Sequence, residues 1–241
     1  SGEIPSCETA VEDLPLDCGG LPACAEVARF RGTGGIMECH VTVRLAGNAA
    51  NPLECLDQSY QKALASAGID GSSAVFRRVF CSDVVNQTAS LADHADSGAS
   101  IIGQAPMPAA KFALWAWHIC DARGITADST GTSCRRGDLT HHWTTGLVDP
   151  AKGSSHEQTR NVIENYEAWL QARGMNTADN VVRTWWFVQN IDADYQGLVE
   201  ARRDFFHTHG LTPQTHYIAS TGIEGTHRDV AAKVSLDSYA I

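Results

Sequence analysis

The run Val181-Val-Arg-Thr-Trp-Trp-Phe-Val188 decides the fold. Successive side chains of a β-strand point to opposite faces, and both faces of this run carry large apolar groups, with Trp186 on one face and Trp185 on the other. A strand with one face in water would alternate apolar and polar residues more cleanly. The run therefore predicts a strand that is covered on both faces, by helices on one and by another sheet or subunit on the other.

A helix is predicted directly before this strand. Ser154 or Ser155 is the N-cap, Glu157 or Gln158 is the capping-box partner, and Gly174 ends the helix. Apolar side chains recur between these ends at the spacing of one helical face. A second helix, over residues 194–207, is predicted after the strand.

The same order of elements occurs in the first half of the chain. Asn51-Pro52 begins a helix that ends at Gly68, and the strand-like run 74–81 follows. An offset of 106 residues places Tyr60 on Tyr166. Further pairs at this offset are Leu64 with Leu170, Gly68 with Gly174, Val75 with Val181 and Arg77 with Arg183. A constant offset through helix, turn and strand predicts a duplicated unit, with chance similarity of two helix–strand pairs as the alternative.

The chain is accordingly divided into three parts. Each unit closes with strand-like segments, at 99–104 and 111–117 in the first and at 217–223 and 232–241 in the second. The stretch 121–138 is rich in Gly, Ser, Thr, Asp and Arg, which is typical of a linker. We predict a divergent first module with an N-terminal extension over residues 1–120, a linker over 121–138 and a second module over 139–241.

Composition limits the classes of function. The 241 residues include 28 acidic and 18 basic side chains, so the formal net charge is −10, which disfavours a nucleic-acid partner. No apolar run approaches the roughly 20 residues that a membrane-spanning helix needs, so no membrane partner is expected. Residues 1–17 lack the basic and apolar regions of a signal peptide.

The eight cysteines predict reduced, mostly buried thiols and a cytoplasmic location. They show no C-x-x-C pair and no zinc-finger spacing, so no metal site is expected. Three of them, Cys7, Cys18 and Cys24, lie close together, which leaves a bridge or a metal clip there as the alternative. The sequence also has no P-loop and no G-x-G-x-x-G motif, so no cofactor is expected.

The second half resembles a known family. The segments that carry the resemblance are His142-Trp-Thr-Thr-Gly146, the run 180–192, Phe205-Phe206 and the closing strand at 234–240. They are similar to the Rid family of YjgF-like reactive-intermediate deaminases, also described as endoribonuclease L-PSP proteins. Residues 140–241 match well, and residues 30–118 look like a divergent copy. The resemblance implies an α+β fold of two tandem modules, each a mixed sheet with two helices packed on one face. It also implies a homo-oligomer, with a trimer or pseudo-trimer favoured, whose pockets lie between modules.

The resemblance also implies an activity. Rid deaminases hydrolyse enamine or imine intermediates, hold the substrate carboxylate with an arginine and place a glutamate near the attacking water. On this alignment the arginine position falls on His216 and near Ala99, and the glutamate position near Ser235 and Ala113. Neither hallmark residue is present, which favours the alternative of a binding or regulatory protein that has lost catalysis.

The stretch 215–225 lies where the family's ligand strand lies, and it carries the predicted site. His216 is expected to bind an anion or act as a base, and Glu224 to relay a proton. The residues expected to bind substrate are Tyr217, Ser220, Thr221, Arg183, His142 and Thr145. The alternatives are a surface histidine at 216, a turn residue at 224 and an interface ion pair for Arg183.

The sequence thus predicts a hydrolase or deaminase-type protein that acts on a small carboxylate-bearing, enamine- or imine-like metabolite in an inter-module pocket. The alternative is a non-catalytic small-molecule-binding or regulatory protein. A lesser alternative is a chorismate-hydrolase-like activity, because chorismate-hydrolysing relatives of the family carry a Rid-like half.

Overall fold

The structure is a computed structural model that describes residues 8–241 except 33–36, 46, 48, 108, 150 and 152. The elements of the first half are β1 (Glu8–Cys18), β2 (Leu21–Arg31), β3 (Met37–Leu45), α1 (Pro52–Ala67), β4 (Ala74–Cys81), α2 (Val84–Gln87), α3 (Ala92–Asp96), β5 (Ser100–Gly103) and β6 (Phe112–Ile119). Those of the second half are β7 (Arg123–Asp128), β8 (Gly131–Arg136), β9 (Leu139–Leu147), α4 (Ser155–Gln171), α5 (Thr177–Asn180), β10 (Val181–Val188), α6 (Ile191–Thr208), β11 (Ala219–Glu224) and β12 (Val234–Ala240). Two short 3₁₀ helices lie at Gly71–Ser73 and Thr88–Leu91.

The two halves repeat one sheet topology. The first sheet has the order β1-β2-β3-β6-β4-β5, and the second has the order β7-β8-β9-β12-β10-β11 when read from its β7 edge. In each sheet one neighbouring pair is parallel, β4 with β5 and β10 with β11, and the others are antiparallel. The predicted α+β architecture of two mixed-sheet modules is therefore confirmed. The second module carries the two long helices α4 and α6, whereas the first carries α1 and only short helices in the second position.

The predicted helix ends agree with the structure. Pro52 begins α1, and Gly68 ends it in the left-handed conformation with φ 66°. Ser154 caps α4, and Glu157 completes the capping box. Local signals of this kind act within one turn of the helix, so the sequence alone is enough to place them.

Strand β10 is covered on both faces, as predicted. Trp186 is fully buried against the helices of its own module. On the other face the ring of Trp185 stacks on Phe76 of the first module, with 5.8 Å between ring centroids. The second face of this strand therefore lies against the neighbouring module.

The stretch 121–138 does not link the modules as a free connector. It contains β7 and β8, a hairpin that pairs with β9 and completes the second sheet. Asp128 accepts hydrogen bonds from the backbone N–H groups of Thr130 and Gly131 in the turn. A Cβ at Gly131 would overlap the carbonyl oxygen of Trp143, so only glycine fits. Gly, Asp and Thr mark hairpin turns as well as linkers, which is why composition misassigned this segment.

The predicted pairing of Arg77 with Arg183 is wrong by one residue. Each strand has an irregular register near its start, and beyond it Phe76 lies opposite Trp117 while Arg183 lies opposite Tyr239. Phe76 and Arg183 are therefore the equivalent positions, at an offset of 183 − 76 = 107 residues. A shift of one residue in a strand moves a side chain to the opposite face. Arg77 accordingly lies on the helix side of its sheet and donates to the carbonyl of Ser97.

The expectation of reduced thiols is wrong for two cysteines. Cys18 and Cys55 form a disulfide, with 5.7 Å between their Cα atoms. It joins the end of β1 to α1, because the β1–β2 hairpin packs across the first turns of that helix. The free cysteines are Cys24, Cys39, Cys81, Cys120 and Cys134. Cys7 lies outside the described residues.

Candidate functional site at the module boundary

The two predicted catalytic residues do not meet. His216 is exposed ahead of β11, and its Nε2 lies 2.8 Å from the carbonyl oxygen of Ala178, to which it donates. Glu224 is exposed at the end of β11, and its carboxylate accepts from the backbone N–H of Ile191 at 3.3 Å, at the start of α6. Each side chain is thus bound to backbone at a different place, and their predicted roles stay predictions.

The hydroxyls predicted on β11 lie on opposite faces of the sheet. Ser220 accepts from Arg202 at 2.8 Å and from Thr184 at 2.9 Å, on the helix side. Thr221 accepts from Arg183 at 3.0 Å, on the side that faces the other module. The structure thus brings Arg183 and Thr221 together, while Tyr217 is exposed ahead of the strand.

His142 and Thr145, which were both expected to bind substrate, also lie apart from each other. The Nδ1 of His142 lies 2.7 Å from Ser133 Oγ, and its ring meets Trp169 edge-on. Burial lowers the pKa of His142, and the charge of Arg173 adds to the effect. Thr145 is buried at the junction and donates to the carbonyl of Gly98 in the first module at 3.1 Å.

A buried ion pair that sequence reasoning missed holds the two modules together. The guanidinium of Arg78, on β4, donates from Nε and Nη2 to one carboxylate oxygen of Asp237, on β12, at 3.2 and 2.7 Å. The other oxygen accepts from the backbone N–H of Gly146 at 2.8 Å. The side chains of Arg78 and Asp237 are only 7% and 1% exposed. The two residues lie 159 positions apart, and no local pattern could have paired them.

Aromatic rings enclose this ion pair. The guanidinium carbon of Arg78 lies between 4.9 and 5.5 Å from the ring centroids of four aromatic side chains: Phe76, Trp115, Trp185 and Phe187. Cation–π attraction is strongest where water is excluded. Further along the junction, Trp117 meets Trp143 and Tyr239 edge-on. The boundary between the modules is thus filled by aromatic rings, and the charge of Arg78 within it is compensated by Asp237.

A cavity lies beside this junction. It has a volume of about 240 Å³ and lies on the face of the first sheet that carries Trp115. Its lining residues are Thr42, Arg44, Phe80, Gln104, Ala105, Pro106, Met107, Ala113, Leu114 and Trp115. We call it the Arg44 cavity. Among the described residues, no carboxylate forms an ion pair with Arg44.

Histidine chemistry near the junction is restricted by burial. His227 follows β11, is 8% exposed, and accepts from the backbone N–H of Asp229 at 3.0 Å. Burial lowers the pKa of His227 to about 4, so its imidazole is neutral at pH 7. Within the part of the chain that the structure describes, no group of three or more His, Cys, Asp or Glu side chains is placed to hold a metal ion. In the same residues, no helix has the length and apolar character to cross a bilayer.

No protein-family profile matches the chain, and no curated protein matches it. A crystal structure of a chorismatase shares the fold over 89% of this chain and 77% of its own, with a TM-score of 0.59 and 11% identical residues. The YjgF gene product of E. coli is 21% identical over 45% of this chain and 84% of its own, with a TM-score of 0.36. E. coli TdcF, crystallised with bound serine, is 19% identical over 45% of this chain and 84% of its own, also with a TM-score of 0.36. Solved structures of YjgF-like proteins are among the structural neighbours of the chain, and the fold shared over most of its length is that of the chorismatase.

Proposed function

We propose that the protein binds a small carboxylate-bearing metabolite in the Arg44 cavity. The observation that carries the proposal is an arginine that lies in a mostly apolar cavity and forms no ion pair with a carboxylate of the described residues. A guanidinium group pairs with a carboxylate through two parallel hydrogen bonds, and the pairing is stronger where water is partly excluded. Arg44 can pair with a ligand in this way, whereas Arg78 cannot, because the guanidinium of Arg78 already forms an ion pair with Asp237.

The walls of the cavity favour a ligand with a short apolar body. Trp115 and Phe80 offer aromatic surface, and Thr42 and Gln104 offer polar groups that fix orientation. A volume of about 240 Å³ suits a molecule of the size of an amino acid or a small cyclic acid. The carboxylate would lie against Arg44 and the body against the aromatic rings.

Binding without catalysis accounts for the cavity better than hydrolysis does. Among the described residues that line it, Arg44 is the one with a charged side chain, so the lining offers no carboxylate and no imidazole as a general base. Hydrolysis of an enamine, an imine or a chorismate-like substrate is the second candidate. The overall likeness to a chorismatase favours that candidate, and it would use His216 and Glu224 as sequence reasoning expects.

A calorimetric titration with serine, pyruvate, benzoate and chorismate separates the candidates. We expect saturable binding of at least one of them, weakened at least tenfold in Arg44→Ala and partly restored in Arg44→Lys, since one charged hydrogen bond contributes about 1.5–3 kcal/mol. Arg31→Ala, which removes an exposed arginine at the end of β2, is the matched control and should bind like the unaltered protein. Equal binding by Arg44→Ala would overturn the proposal.

The same samples are analysed for product by chromatography. Unchanged ligand after prolonged incubation is the expected result. Turnover that is lost in His216→Ala and in Glu224→Gln would replace the binding proposal with the hydrolase.

A further inference from the structure

Two free cysteines lie side by side where β3 begins and β6 ends. Cys39 lies on β3, and Cys120 is the residue directly after β6. The backbone N–H of Cys120 donates to the carbonyl of Met37 at 3.0 Å, which continues the antiparallel ladder of the two strands by one residue. Met37 and Cys39 are two residues apart and so lie on the same face of the sheet. Cys39 and Cys120 are therefore diagonal neighbours across the two strands.

The two side chains are in contact, but only one of them is accessible. The thiol of Cys39 donates a hydrogen bond to the sulfur of Cys120. Cys39 is fully buried, whereas Cys120 is exposed. Burial raises the pKa of Cys39 to about 11, and the contact with Cys120 adds to the effect. Since the thiolate is the reactive form, Cys120 can react with a molecule in solution, and Cys39 is restricted to a sulfur that is already beside it.

A bond between these sulfurs requires a small movement of the chain. Diagonal neighbours across an antiparallel pair have Cβ atoms about 7 Å apart, whereas a disulfide needs about 3.5–4.5 Å. Cys120 lies in the turn between β6 and β7, in which the N–H of Ala122 donates to the carbonyl of Ile119, so the movement falls on a turn and not on the sheet. A bridge closed in this way stores strain and is reduced more easily than an unstrained one.

We propose that Cys39 and Cys120 are a reversible redox pair, which closes to a second disulfide by exchange with a low-molecular-weight disulfide such as glutathione disulfide. The thiolate of Cys120 attacks one sulfur of glutathione disulfide, which releases one glutathione and leaves the other joined to Cys120. The thiolate of Cys39 then attacks Sγ of Cys120 and releases the second glutathione. The protein gives up two electrons and two protons, which convert glutathione disulfide into two glutathione thiols.

The position of the pair shows what its oxidation would fasten. The turn that contains Cys120 is the passage of the chain from the first module to the second. Asp121, the next residue, lies 3.6 Å from Nε of Arg136 on β8, and the same guanidinium pairs with Glu38 on β3. A bond from Cys120 to Cys39 would tie this turn to β3 as well. Oxidation would therefore strengthen the connection between the modules.

Peptide mapping under non-reducing conditions tests the proposal. The folded protein is incubated with an excess of glutathione disulfide, its remaining thiols are alkylated, and it is digested with trypsin. We expect a disulfide-linked pair of peptides, 32–44 with Cys39 and 112–123 with Cys120. On stepwise reduction this link should be lost before the bridge between Cys18 and Cys55.

Three variants separate the two steps. Cys39→Ser should stop after the first step and accumulate one glutathione on Cys120. Cys120→Ser should acquire neither a glutathione nor a bridge at Cys39, because that thiol is buried. Cys24→Ser alters a half-buried free cysteine on the opposite face of the same sheet, so it is the matched control and should form the bridge like the unaltered protein.

Absence of the linked peptides from the oxidised, unaltered protein would overturn the proposal, whether or not Cys120 carries glutathione. Linkage of Cys39 or Cys120 to a different cysteine would overturn it as well. A bridge between them that outlasts the one between Cys18 and Cys55 on reduction would contradict its reversible character. Circular dichroism of each variant confirms the folded state.

Discussion

At the scale of single residues, Arg78 and Asp237 decide how the two modules stay together. Their charges are removed from water, and each is compensated chiefly by the other. Taking away one partner of a buried pair leaves an uncompensated charge, which costs about 3–5 kcal/mol, whereas replacing both costs much less.

We therefore expect Arg78→Met to lower the free energy of unfolding by about 3–5 kcal/mol, measured by urea denaturation. The double variant Arg78→Met with Asp237→Asn should recover a large part of this loss, because the asparagine can still accept from Gly146. A loss below about 1 kcal/mol in the single variant would contradict the assigned role.

Two buried histidines make stability depend on pH. His118 is fully buried between Tyr60 and Ser73, at 2.7 and 3.0 Å, and burial lowers its pKa to about 4, as it does for His227. In the unfolded chain these two histidines take up a proton near pH 6.5, whereas in the folded chain they do so only near pH 4. Stability is therefore full above about pH 6.5 and falls as the pH drops towards 4.

For each histidine the expected loss approaches 1.4 kcal/mol per pH unit within this window. Denaturant titrations at pH 7, 6 and 5 measure it. His118→Gln should show a shallower slope than the unaltered protein, and an identical slope would show that His118 does not titrate on unfolding.

At the scale of elements, the disulfide between Cys18 and Cys55 fastens the β1–β2 hairpin to α1. It closes a loop with a sequence separation of 37. The chain-entropy estimate for a loop of this length is about 3–4 kcal/mol of stabilisation. The hairpin includes an edge strand, so its attachment to the helix matters more than it would for a central strand.

We expect Cys18→Ser to lower the free energy of unfolding by about 3–4 kcal/mol and to speed hydrogen exchange in β1. A reducing agent should have the same effect on the unaltered protein and no further effect on the variant. If reduction leaves both the stability and the exchange of β1 unchanged, the bridge does not constrain the hairpin.

The elements also show how far sequence reasoning reaches. Helix α4 was predictable because Ser154 and Glu157 cap it locally. Strand β10 was predictable because apolar side chains on both of its faces must be buried. The β7–β8 hairpin was mistaken for a linker, since turns and linkers share a composition. Arg78 was missed for another reason: five residues separate Gly68 from β4 whereas six separate Gly174 from β10, so the 106-residue offset of the helices drew attention to Arg77 instead.

The candidate site was harder to predict than the fold. The position of His216 follows from an alignment, but its hydrogen bond to the carbonyl of Ala178 depends on tertiary contacts. Arg44 gave no signal in the sequence, because only the folded structure shows that no carboxylate among the described residues pairs with it. An unpaired charge in a cavity is a property of three-dimensional packing.

At the scale of the whole molecule, one sheet face of the first module is only partly covered. His40 stacks between Trp115 and Trp117 on this face, and all three rings are half-buried. Half-buried aromatic rings on a sheet are typical of protein interfaces. We propose that further copies of the chain cover this face, with a trimer favoured.

Light scattering coupled to size-exclusion chromatography tests the assembly. A trimer would have a mass of about 78 kDa, three times the 25.9 kDa of one chain. His40→Glu should dissociate it, since a charge would be buried against apolar surface, and it leaves the rings of the module junction in place. A mass near 26 kDa for the unaltered protein at micromolar concentration would show that the face stays free.

Recognition of a carboxylate by Arg44 is tested by comparing the binding of each acid with that of its own carboxamide. We expect calorimetry to give saturable binding of at least one small carboxylate to the unaltered protein, at least tenfold weaker binding of the matching amide, and no such difference in Arg44→Ala. Equal affinity for acid and amide, or undiminished binding of the acid by Arg44→Ala, would contradict it.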